Sequence, residues 1–172
     1  MIRHVLLTGE IGIGKSTVLQ KTIKALGLSV GGLQSYSPQA RGVLPKTLYL
    51  RAYGDRGQGE FLCELPDGDK SRIAPVFDDL GAKLLLQAQA AHDVIVIDEI
   101  GRLERFASAY HQALEACFSG DKPVLGVIRK HKAEWADWIR ERQDVLLLEV
   151  TKENRDTLFL QAASCIQNNI GK

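Results

Sequence analysis

The sequence predicts an α/β fold, in which a mostly parallel sheet carries helices on both faces. Short apolar stretches of strand length alternate along the chain with stretches whose apolar residues recur at helical spacing, and this alternation is typical of parallel sheets. Residues 94–97 are continuously apolar and β-branched, as expected for a strand that is buried on both faces. A glycine-rich stretch over residues 9–17 separates the first strand from the first helix, and the rest of the chain is organised around it.

Residues 9–17 fit the phosphate-binding pattern G-x-x-x-x-G-K-[S/T] without a mismatch. The flanking sequence predicts a strand over residues 4–8 and a helix over residues 15–26, which is the context that favours this motif over a chance glycine-rich turn. Backbone N–H groups of such a loop surround a triphosphate, and the helix N-terminus adds partial positive charge. The predicted nucleotide-binding residues are therefore Gly9, Glu10, Ile11, Gly12, Ile13, Gly14, Lys15, Ser16 and Thr17.

Two side chains of this loop have predicted tasks. Lys15 would reach the β- and γ-phosphates, which makes it a catalytic as well as a binding residue. The Ser16 hydroxyl is in the position that ligates Mg²⁺ in this motif. The sequence thus predicts a site for ATP or another nucleoside triphosphate together with Mg²⁺.

A pair of adjacent carboxylates, Asp98 and Glu99, follows the buried strand. Ligands of parallel α/β sheets bind at the carboxyl ends of the strands, so we expect Asp98 near Ser16, where it would hold Mg²⁺ directly or through water. Successive strand residues point to different sides, which leaves Glu99 free to orient and deprotonate a water beside the γ-phosphate. A helix cap is the alternative role for such an acidic pair.

The remaining elements are predicted from periodicity and turn chemistry. Residues 37–75 differ from the rest, because strands at 47–52 and 60–65 flank a turn, which predicts a β-hairpin insertion at the sheet edge. Further strands are predicted at residues 32–36, 124–128 and 145–150, and helices at 77–91, 106–117, 133–142 and 154–167. No linker is evident, so residues 1–172 are predicted to form one domain.

The composition limits the class of protein. The chain of 172 residues is 45% hydrophobic and carries a formal net charge of +1, so it can form a sizeable core but has no global basic field for a nucleic acid partner. Its three cysteines are scattered and odd in number, which favours reduced thiols in the cytoplasm over a disulfide framework. We expect no signal peptide and no membrane-spanning segment, because the first strand begins almost at Met1 and the apolar runs are short. A monomer is expected.

Three motifs resemble the small P-loop nucleoside-triphosphatases, the family that includes the cancer-related nucleoside-triphosphatase. They are the phosphate loop with Thr8 before it, the run Ile-Asp-Glu-Ile-Gly-Arg-Leu-Glu at residues 97–104, and the run Val-Thr-Lys-Glu-Asn-Arg-Asp at residues 150–156. The phosphate loop is shared by a vast superfamily, whereas the other two runs are more discriminating. The resemblance implies hydrolysis of several nucleoside triphosphates with Mg²⁺ and loose base selectivity. It also implies a RecA-like core, in which one strand separates the phosphate-loop strand from the acidic strand.

The chain departs from the family pattern between Leu33 and Val76. The family usually carries a Thr-x-Glu-x-Arg element there, followed by a Gly-rich strand, and this chain keeps only Arg41 as a counterpart. We therefore expect the hairpin region to recognise something different.

Two further stretches carry candidate ligand-binding residues. Asn154 and Arg155 follow the last strand, where Arg155 could stack on the nucleotide base and Asn154 could hydrogen-bond its edge. Helix capping by Thr151 or Asn154 is the alternative. Residues 129–132 are basic, and one of these cations could stabilise transition-state charge as an arginine finger does, although a solvated basic loop is the alternative there.

Hydrolysis of nucleoside triphosphates is the predicted function. A small-molecule or nucleotide kinase would share the phosphate loop but needs an acceptor pocket and a lid that excludes water, and no lid with paired arginines is evident in the sequence. A regulatory GTPase is disfavoured because the sequence lacks the Asn-Lys-x-Asp guanine motif. A nucleotide-dependent switch or RNA-binding module is the remaining alternative, against which the near-neutral net charge argues weakly.

Overall fold

The structure, a computed structural model, describes residues 1–131 and 133–170. The strands in these residues are β1 (His4–Thr8), β2 (Val30–Tyr36), β3 (Lys46–Ala52), β4 (Glu60–Leu65), β5 (Val94–Ile100), β6 (Val124–Ile128) and β7 (Val145–Glu149). The helices are α1 (Lys15–Leu26), α2 (Ile73–Val76), α3 (Ala82–Ala91), α4 (Ser108–Ser119), α5 (Asp137–Arg140) and α6 (Leu158–Gln167). A π-helical turn, Phe77–Gly81, joins α2 to α3, and a 3₁₀ turn, Glu134–Ala136, precedes α5.

One sheet contains all of these strands in the order β4-β3-β2-β5-β6-β1-β7. The strands from β2 to β7 in that order pair in parallel, whereas β3 and β4 are antiparallel additions beside β2. The predicted mostly parallel sheet with a hairpin at its edge is therefore confirmed. Because β6 lies between β1 and β5, the implied RecA-like order is confirmed too. The carboxyl ends of β1 and β5 thus meet at one edge of the sheet, where ligands bind in this class of fold.

The pleat of the strands divides the core into two layers. Leu6 on β1 and Ile97 on β5 belong to the apolar cluster that includes residues of α3 and α4. Leu7 and Val96 belong to the other cluster, which includes residues of α1 and α6. Helices therefore cover both faces, as predicted. Since side chains alternate along a strand, Asp98 continues the side of Val96 and faces α1.

β5 is longer than its apolar run predicts. The strand continues through Asp98 and Glu99 to Ile100, and its register with β6 shifts between Asp98 and Ile100. Both carboxylates thus belong to the strand, with Asp98 paired to Val127 and Glu99 at the shift in register, rather than lying in a loop beyond it or capping a helix. Their spacing from the phosphate loop is consequently set by the sheet.

Several helix boundaries also differ from the predictions. The helix predicted over residues 77–91 begins earlier, at Ile73, and contains the π-helical turn. The last helix begins at Leu158 rather than near Asn154, because the intervening residues form hydrogen-bonded turns. The segment predicted as a helix over residues 133–142 is helical only as a 3₁₀ turn followed by the short α5.

Two expectations from composition concern the described part of the chain. None of its helices is long and apolar enough to cross a membrane. Cys63, Cys117 and Cys165 are all free thiols, and the first two are buried, where they pack as small apolar residues.

Candidate nucleotide site

The phosphate loop lies between β1 and α1, at the carboxyl end of β1. Gly9 has a φ of 143°, and a Cβ at this position would lie 2.7 Å from the Val150 carbonyl oxygen. Gly12 has a φ of 73°, and a Cβ there would collide with the Arg41 guanidinium. Both positions therefore favour glycine for conformation, and Gly9 also for space, because the Val150 backbone cannot move aside as the Arg41 side chain can.

The other residues of the loop divide between core and surface. Gly14 takes a left-handed conformation immediately before α1, with a φ of 110°. Ile13 packs against the apolar cluster beside α1, whereas the Ile11 side chain is 75% exposed. Thr17 is exposed in the first turn of α1. The loop is thus buried at Gly9 and packs on the core through Ile13, whereas Ile11 and Thr17 are exposed.

The Lys15 ammonium folds back onto its own loop. Its Nζ donates hydrogen bonds to the carbonyl oxygens of Gly9, at 2.9 Å, and Glu10, at 2.8 Å. Burial lowers the pKa of Lys15, against the attraction of Glu99 and Glu10. Two backbone carbonyl groups therefore hold the Lys15 ammonium, and a bound phosphate group would replace them.

Asp98 and Ser16 come together as the sequence predicts. The Ser16 hydroxyl donates to Asp98 Oδ1 at 3.4 Å. Burial, followed by the neighbouring Glu99 carboxylate, raises the pKa of Asp98 to about 6. Two hard oxygen donors thus meet at the N-terminus of α1, where a divalent cation would relieve the repulsion between the adjacent carboxylates.

The protein offers only part of a metal coordination shell. No group of three or more His, Cys, Asp or Glu residues in the described ranges could hold a metal ion. Mg²⁺ commonly takes one or two carboxylates and completes its shell with phosphate oxygens and water. Ser16 and Asp98 fit such a shared Mg²⁺ site and do not fit one built by the protein alone.

Glu99 lies beside the basic loop that follows β6. Its Oε1 is 3.5 Å from Arg129 Nε, and the Arg129 backbone N–H bonds to the Ile100 carbonyl at 3.0 Å. Glu99 and Arg129 line a cavity of about 40 Å³ together with Lys15 and other residues of the phosphate loop. One member of the predicted basic stretch is therefore held next to the predicted base.

A second cation of this stretch bridges two acidic residues. Lys130 Nζ lies 2.8 Å from Glu10 Oε1 and 2.9 Å from Glu149 Oε1, and hydrogen bonding to these carboxylates raises the pKa of Lys130. The bond from Lys130 lowers the pKa of Glu10. His131 lines the same small cavity, and Lys132 lies outside the described residues.

Asn154 and Arg155 have different surroundings. Asn154 Oδ1 accepts a hydrogen bond from the Thr151 N–H at 2.8 Å, and its Nδ2 donates to the Glu149 carbonyl at 2.9 Å. The Asn154 amide thus closes a turn and does not cap α6, which begins at Leu158 with Thr157 at its N-cap. Arg155 lies near the phosphate loop. A Cβ atom added to Gly14 would be 3.9 Å from the Arg155 Cδ.

Arg41 is the residue of this site that periodicity and motif spacing did not reveal. It extends from the loop between β2 and β3, and its Nη2 donates to the Ile11 carbonyl oxygen at 2.9 Å. No carboxylate of residues 1–131 and 133–170 lies within 4.0 Å of its guanidinium. Its only sequence signal was its place as the remaining counterpart of a family element.

Glu104 has a structural role that the sequence patterns did not predict. It is 2% exposed, and its Oε1 accepts a hydrogen bond from the Gly101 N–H at 2.6 Å. Burial raises its pKa to about 7. Trp135 donates its indole N–H to the Gly101 carbonyl at 3.0 Å and stacks on His111 with ring centres 4.4 Å apart. The turn that directly follows the acidic strand is therefore held on both sides of Gly101.

The fold and this loop define a P-loop nucleotide-binding protein with an acidic strand beside its phosphate site. The family profile described as NTPase matches residues 4–163. The chain therefore belongs to this family of small P-loop nucleoside-triphosphatases, as its motifs predicted.

Known proteins resemble the chain over nearly its full length. The nucleoside-triphosphatase THEP1 of Thermofilum pendens is 32% identical over 183 residues, which cover 99% of this chain and 98% of that protein. The human cancer-related nucleoside-triphosphatase is 31% identical over 188 residues, covering 98% and 99% respectively. The crystal structure of THEP1 from the hyperthermophile Aquifex aeolicus has a TM-score of 0.75 at 22% identity, covering 96% of this chain and 99% of that chain, which shows a common fold.

Proposed function

We propose that the protein hydrolyses nucleoside triphosphates, ATP and GTP among them, to the diphosphate and inorganic phosphate in the presence of Mg²⁺. The observation that carries the proposal is the meeting of two predicted half-sites at one sheet edge. Asp98 lies 3.4 Å from Ser16, and Glu99 lines the same small cavity as Lys15. Relatives that are named nucleoside-triphosphatases and match over nearly their whole length support the same activity.

Substrate binding starts with the phosphate loop and Lys15. The backbone N–H groups of residues 9–17 would surround the phosphates. The Lys15 ammonium would exchange the Gly9 and Glu10 carbonyl oxygens for charged oxygens of the β- and γ-phosphates. The phosphate oxygens carry negative charge and the carbonyl oxygens do not, so Coulomb attraction to the ammonium favours this exchange.

The metal would be held by Ser16 and Asp98. When bound, Mg²⁺ neutralises charge on the phosphate oxygens and thereby lowers the cost of attack. Asp98 must be ionised for this role, and the Ser16 hydroxyl and Lys15 both favour its ionised form.

Glu99 would act on the attacking water. Its carboxylate accepts the water proton while the water oxygen bonds to the γ-phosphorus and the bond to the β–γ bridging oxygen breaks. The Arg129 guanidinium, 3.5 Å away, orients the Glu99 side chain. A general base in such a role contributes ~10²–10⁴-fold to the rate.

Glu99→Gln tests the assignment of the base. Glutamine keeps the shape of the side chain but loses its basicity, so the variant should bind Mg²⁺-ATP almost normally and release phosphate ~10²–10⁴-fold more slowly. Phosphate release and nucleotide binding are measured on the same preparation. Glu115→Gln, an exposed change on α4, is the matched control.

Asp98→Asn tests the assignment of the metal ligand. Loss of the carboxylate should weaken both Mg²⁺-nucleotide binding and turnover, and shift the Mg²⁺ dependence to higher concentration by ~10–100-fold. Turnover of the Glu99→Gln variant at the wild-type rate would show that another residue is the general base. If the unmodified protein binds Mg²⁺-ATP but forms no ADP, with or without an added acceptor, the switch alternative replaces hydrolysis.

We further propose that the protein works as a monomer in a reducing compartment, on small-molecule substrates. The three free thiols support the compartment, because scattered unpaired cysteines are typical of cytoplasmic proteins. Light scattering during size-exclusion chromatography tests the monomer, since a dimer would elute with twice the mass of 19.0 kDa.

A further inference from the structure

A second cavity, of about 440 Å³, adjoins the nucleotide site. It lies between the end of β4, the start of α2 and the loop that follows β5. The charged side chains that line it are Lys70, Glu99, Arg102, Glu104, Arg105 and Arg129. Its volume falls in the range of small-molecule sites, roughly 300–1,000 Å³.

Both carboxylates that line this cavity already have partners. Glu99 pairs with Arg129, and the buried Glu104 accepts the Gly101 N–H at 2.6 Å. Neither carboxylate is therefore available to neutralise the remaining cations of the cavity.

Those remaining cations are Lys70, Arg102 and Arg105. All three are exposed, and no carboxylate in the described part of the chain lies within 4.0 Å of any of them. Two are arginines, whose planar donor groups bind the oxygens of a phosphate or carboxylate in pairs. The cavity thus has the charge and the donors to bind an anion.

The second cavity and the nucleotide site share a wall. Glu99 and Arg129 line the second cavity and also the small cavity that Lys15 lines. A molecule bound in the second cavity would therefore contact the same carboxylate that faces the phosphate loop. Glu99 could then take a proton from a hydroxyl group of that molecule instead of from water.

The mouth of the cavity also offers an apolar surface. The Phe106 side chain is 74% exposed, and the Arg105 guanidinium lies 4.6 Å from its ring centre. An exposed ring beside a cation suits a ligand that combines a carbon skeleton with a negative charge.

We propose that the second cavity binds a small hydroxylated molecule that carries a phosphate or carboxylate group, and that its hydroxyl accepts the γ-phosphoryl group in place of water. This inference rests on the proposed function, because it uses the same nucleotide and the same base. Hydrolysis is then the slow reaction that occurs when the second cavity is empty of acceptor.

The phosphoryl transfer needs no reactant other than ATP and the acceptor. The acceptor oxygen bonds to the γ-phosphorus, and the bond to the β–γ bridging oxygen breaks. The hydroxyl proton passes to Glu99 and from there to solvent, and ADP leaves with the electron pair of the broken bond. The products are ADP and a phosphate ester of the acceptor.

The test measures ADP and inorganic phosphate in parallel during turnover of Mg²⁺-ATP. The added probes are D-ribose 5-phosphate, sn-glycerol 3-phosphate and D-glycerate, each an anion with a free hydroxyl, and methyl phosphate is the matched anion without one. Hydrolysis yields ADP and phosphate in equal amounts. Transfer should appear as an ADP-to-phosphate ratio above one with a hydroxylated probe and a ratio of one with methyl phosphate.

Variants connect the transfer to the cavity. Arg102→Gln with Arg105→Gln should raise the KM for the acceptor at least about tenfold, because two charge-assisted contacts are lost. Lys70→Gln, on a different segment, should act in the same direction. Arg56→Gln, an exposed change in the turn between β3 and β4, lines neither cavity and should leave the ratio at the wild-type value.

The outcomes separate this inference from the hydrolysis on which it rests. ADP equal to phosphate with all three probes, or an excess of ADP that the arginine changes leave untouched, would overturn the transfer alone. ADP formed only when a hydroxylated probe is present would support the transfer and overturn hydrolysis. No ADP in any reaction would overturn both.

Discussion

At the scale of single residues, one cation of the phosphate loop and two from distant parts of the chain contact the backbone or side chains of that loop. Lys15 bonds two carbonyl groups of its own loop. Arg41 donates to the Ile11 carbonyl from 30 residues further along the chain. Lys130 reaches Glu10 across 120 residues. These three cations thus lie around the phosphate loop, where their charge would attract a triphosphate.

Lys15→Ala should abolish turnover and weaken triphosphate binding. Lys15 is the motif cation placed for the β- and γ-oxygens, and alanine removes it without changing the backbone of α1. Phosphate release and Mg²⁺-ATP binding measure the effect, with Lys24→Ala, an exposed change near the end of the same helix, as control. Phosphate release at the wild-type rate would remove the assignment of the phosphate loop.

Arg41→Ala should lower kcat at least about tenfold with a smaller change in KM. Its guanidinium lies on the phosphate loop without a carboxylate partner among the described residues, so it can turn to transition-state charge. An arginine in that role contributes roughly 10³–10⁵-fold in related systems. Steady-state kinetics with Arg56→Ala as control measure it, and a wild-type kcat would show that Arg41 only supports the loop.

At the scale of elements, the positions of β1 and β5 in the sheet create the site. β6 lies between them and pairs in parallel with both, with a shift in register between Asp98 and Ile100 on β5. The start of β1 is joined to β6 by a side chain as well, since the Val124 N–H donates to His4 Nδ1 at 3.0 Å. The turn after β5 is held by Glu104 and Trp135. Glu104 and Trp135 therefore support the carboxyl end of β5, which presents the carboxylates, whereas His4 joins β1 to β6 at the opposite edge of the sheet.

His4 should make stability fall as the pH drops from about 6.5 to about 4. Burial lowers its pKa to about 4, in spite of Asp144, and Arg142 and Arg3 act in the same direction as burial. The unfolded chain, with an ordinary pKa of about 6.5, takes up the proton first, so acidification favours unfolding over this interval. The full effect is about 3 kcal/mol, since each unit is worth about 1.4 kcal/mol.

Urea unfolding, followed by tryptophan fluorescence between pH 4 and pH 7, measures this dependence. His4→Asn is the matched variant, because its side-chain oxygen can accept the Val124 N–H but does not titrate. The difference in stability between the two proteins should shrink as the pH falls toward 4. A constant difference over the interval would mean that His4 takes up protons equally in the folded and the unfolded state, so that its pKa is not lowered by folding.

At the scale of the whole molecule, the charged residues are unevenly distributed although the formal net charge is only +1. Cations collect at the carboxyl edge of the sheet, where Arg41, Arg129 and Lys130 surround the phosphate site and Arg102 and Arg105 line the second cavity. Among the described residues near the phosphate loop, few side chains are free to bond a nucleotide base. The Asn154 amide already bonds Thr151 and the Glu149 carbonyl.

Base identity should therefore matter little to turnover. Arg155 is the remaining candidate for base contact, and stacking on a planar cation discriminates poorly between bases. Comparison of kcat/KM for Mg²⁺-ATP, GTP, CTP and UTP should give ratios below about a hundredfold, which is about 2.8 kcal/mol. A larger preference would require a specific base pocket, and Arg155→Ala would then reduce turnover of all four without changing that preference.

Local patterns in the sequence were sufficient for most of the fold. The strands, the hairpin at the sheet edge and the phosphate loop follow from periods and turn residues that are only a few positions apart. Predictions failed where tertiary contacts extend or shorten an element. β5 continues beyond its apolar run because β6 pairs with it, and α6 starts late because Asn154 and Thr151 bond to each other in a turn.

By itself, the sequence determined the α/β class, the phosphate loop and the acidic strand end, because each is encoded in contiguous residues whose spacing reflects local geometry. Only the tertiary structure decided what lies next to them. Arg41 reaches the loop from the hairpin insertion, and Arg102 and Arg105 share a cavity with Lys70 and Glu99. Those groups are far apart in the chain or lack a periodic pattern. Their proximity results from strand order and the path of the connecting loops, which a one-dimensional pattern does not specify.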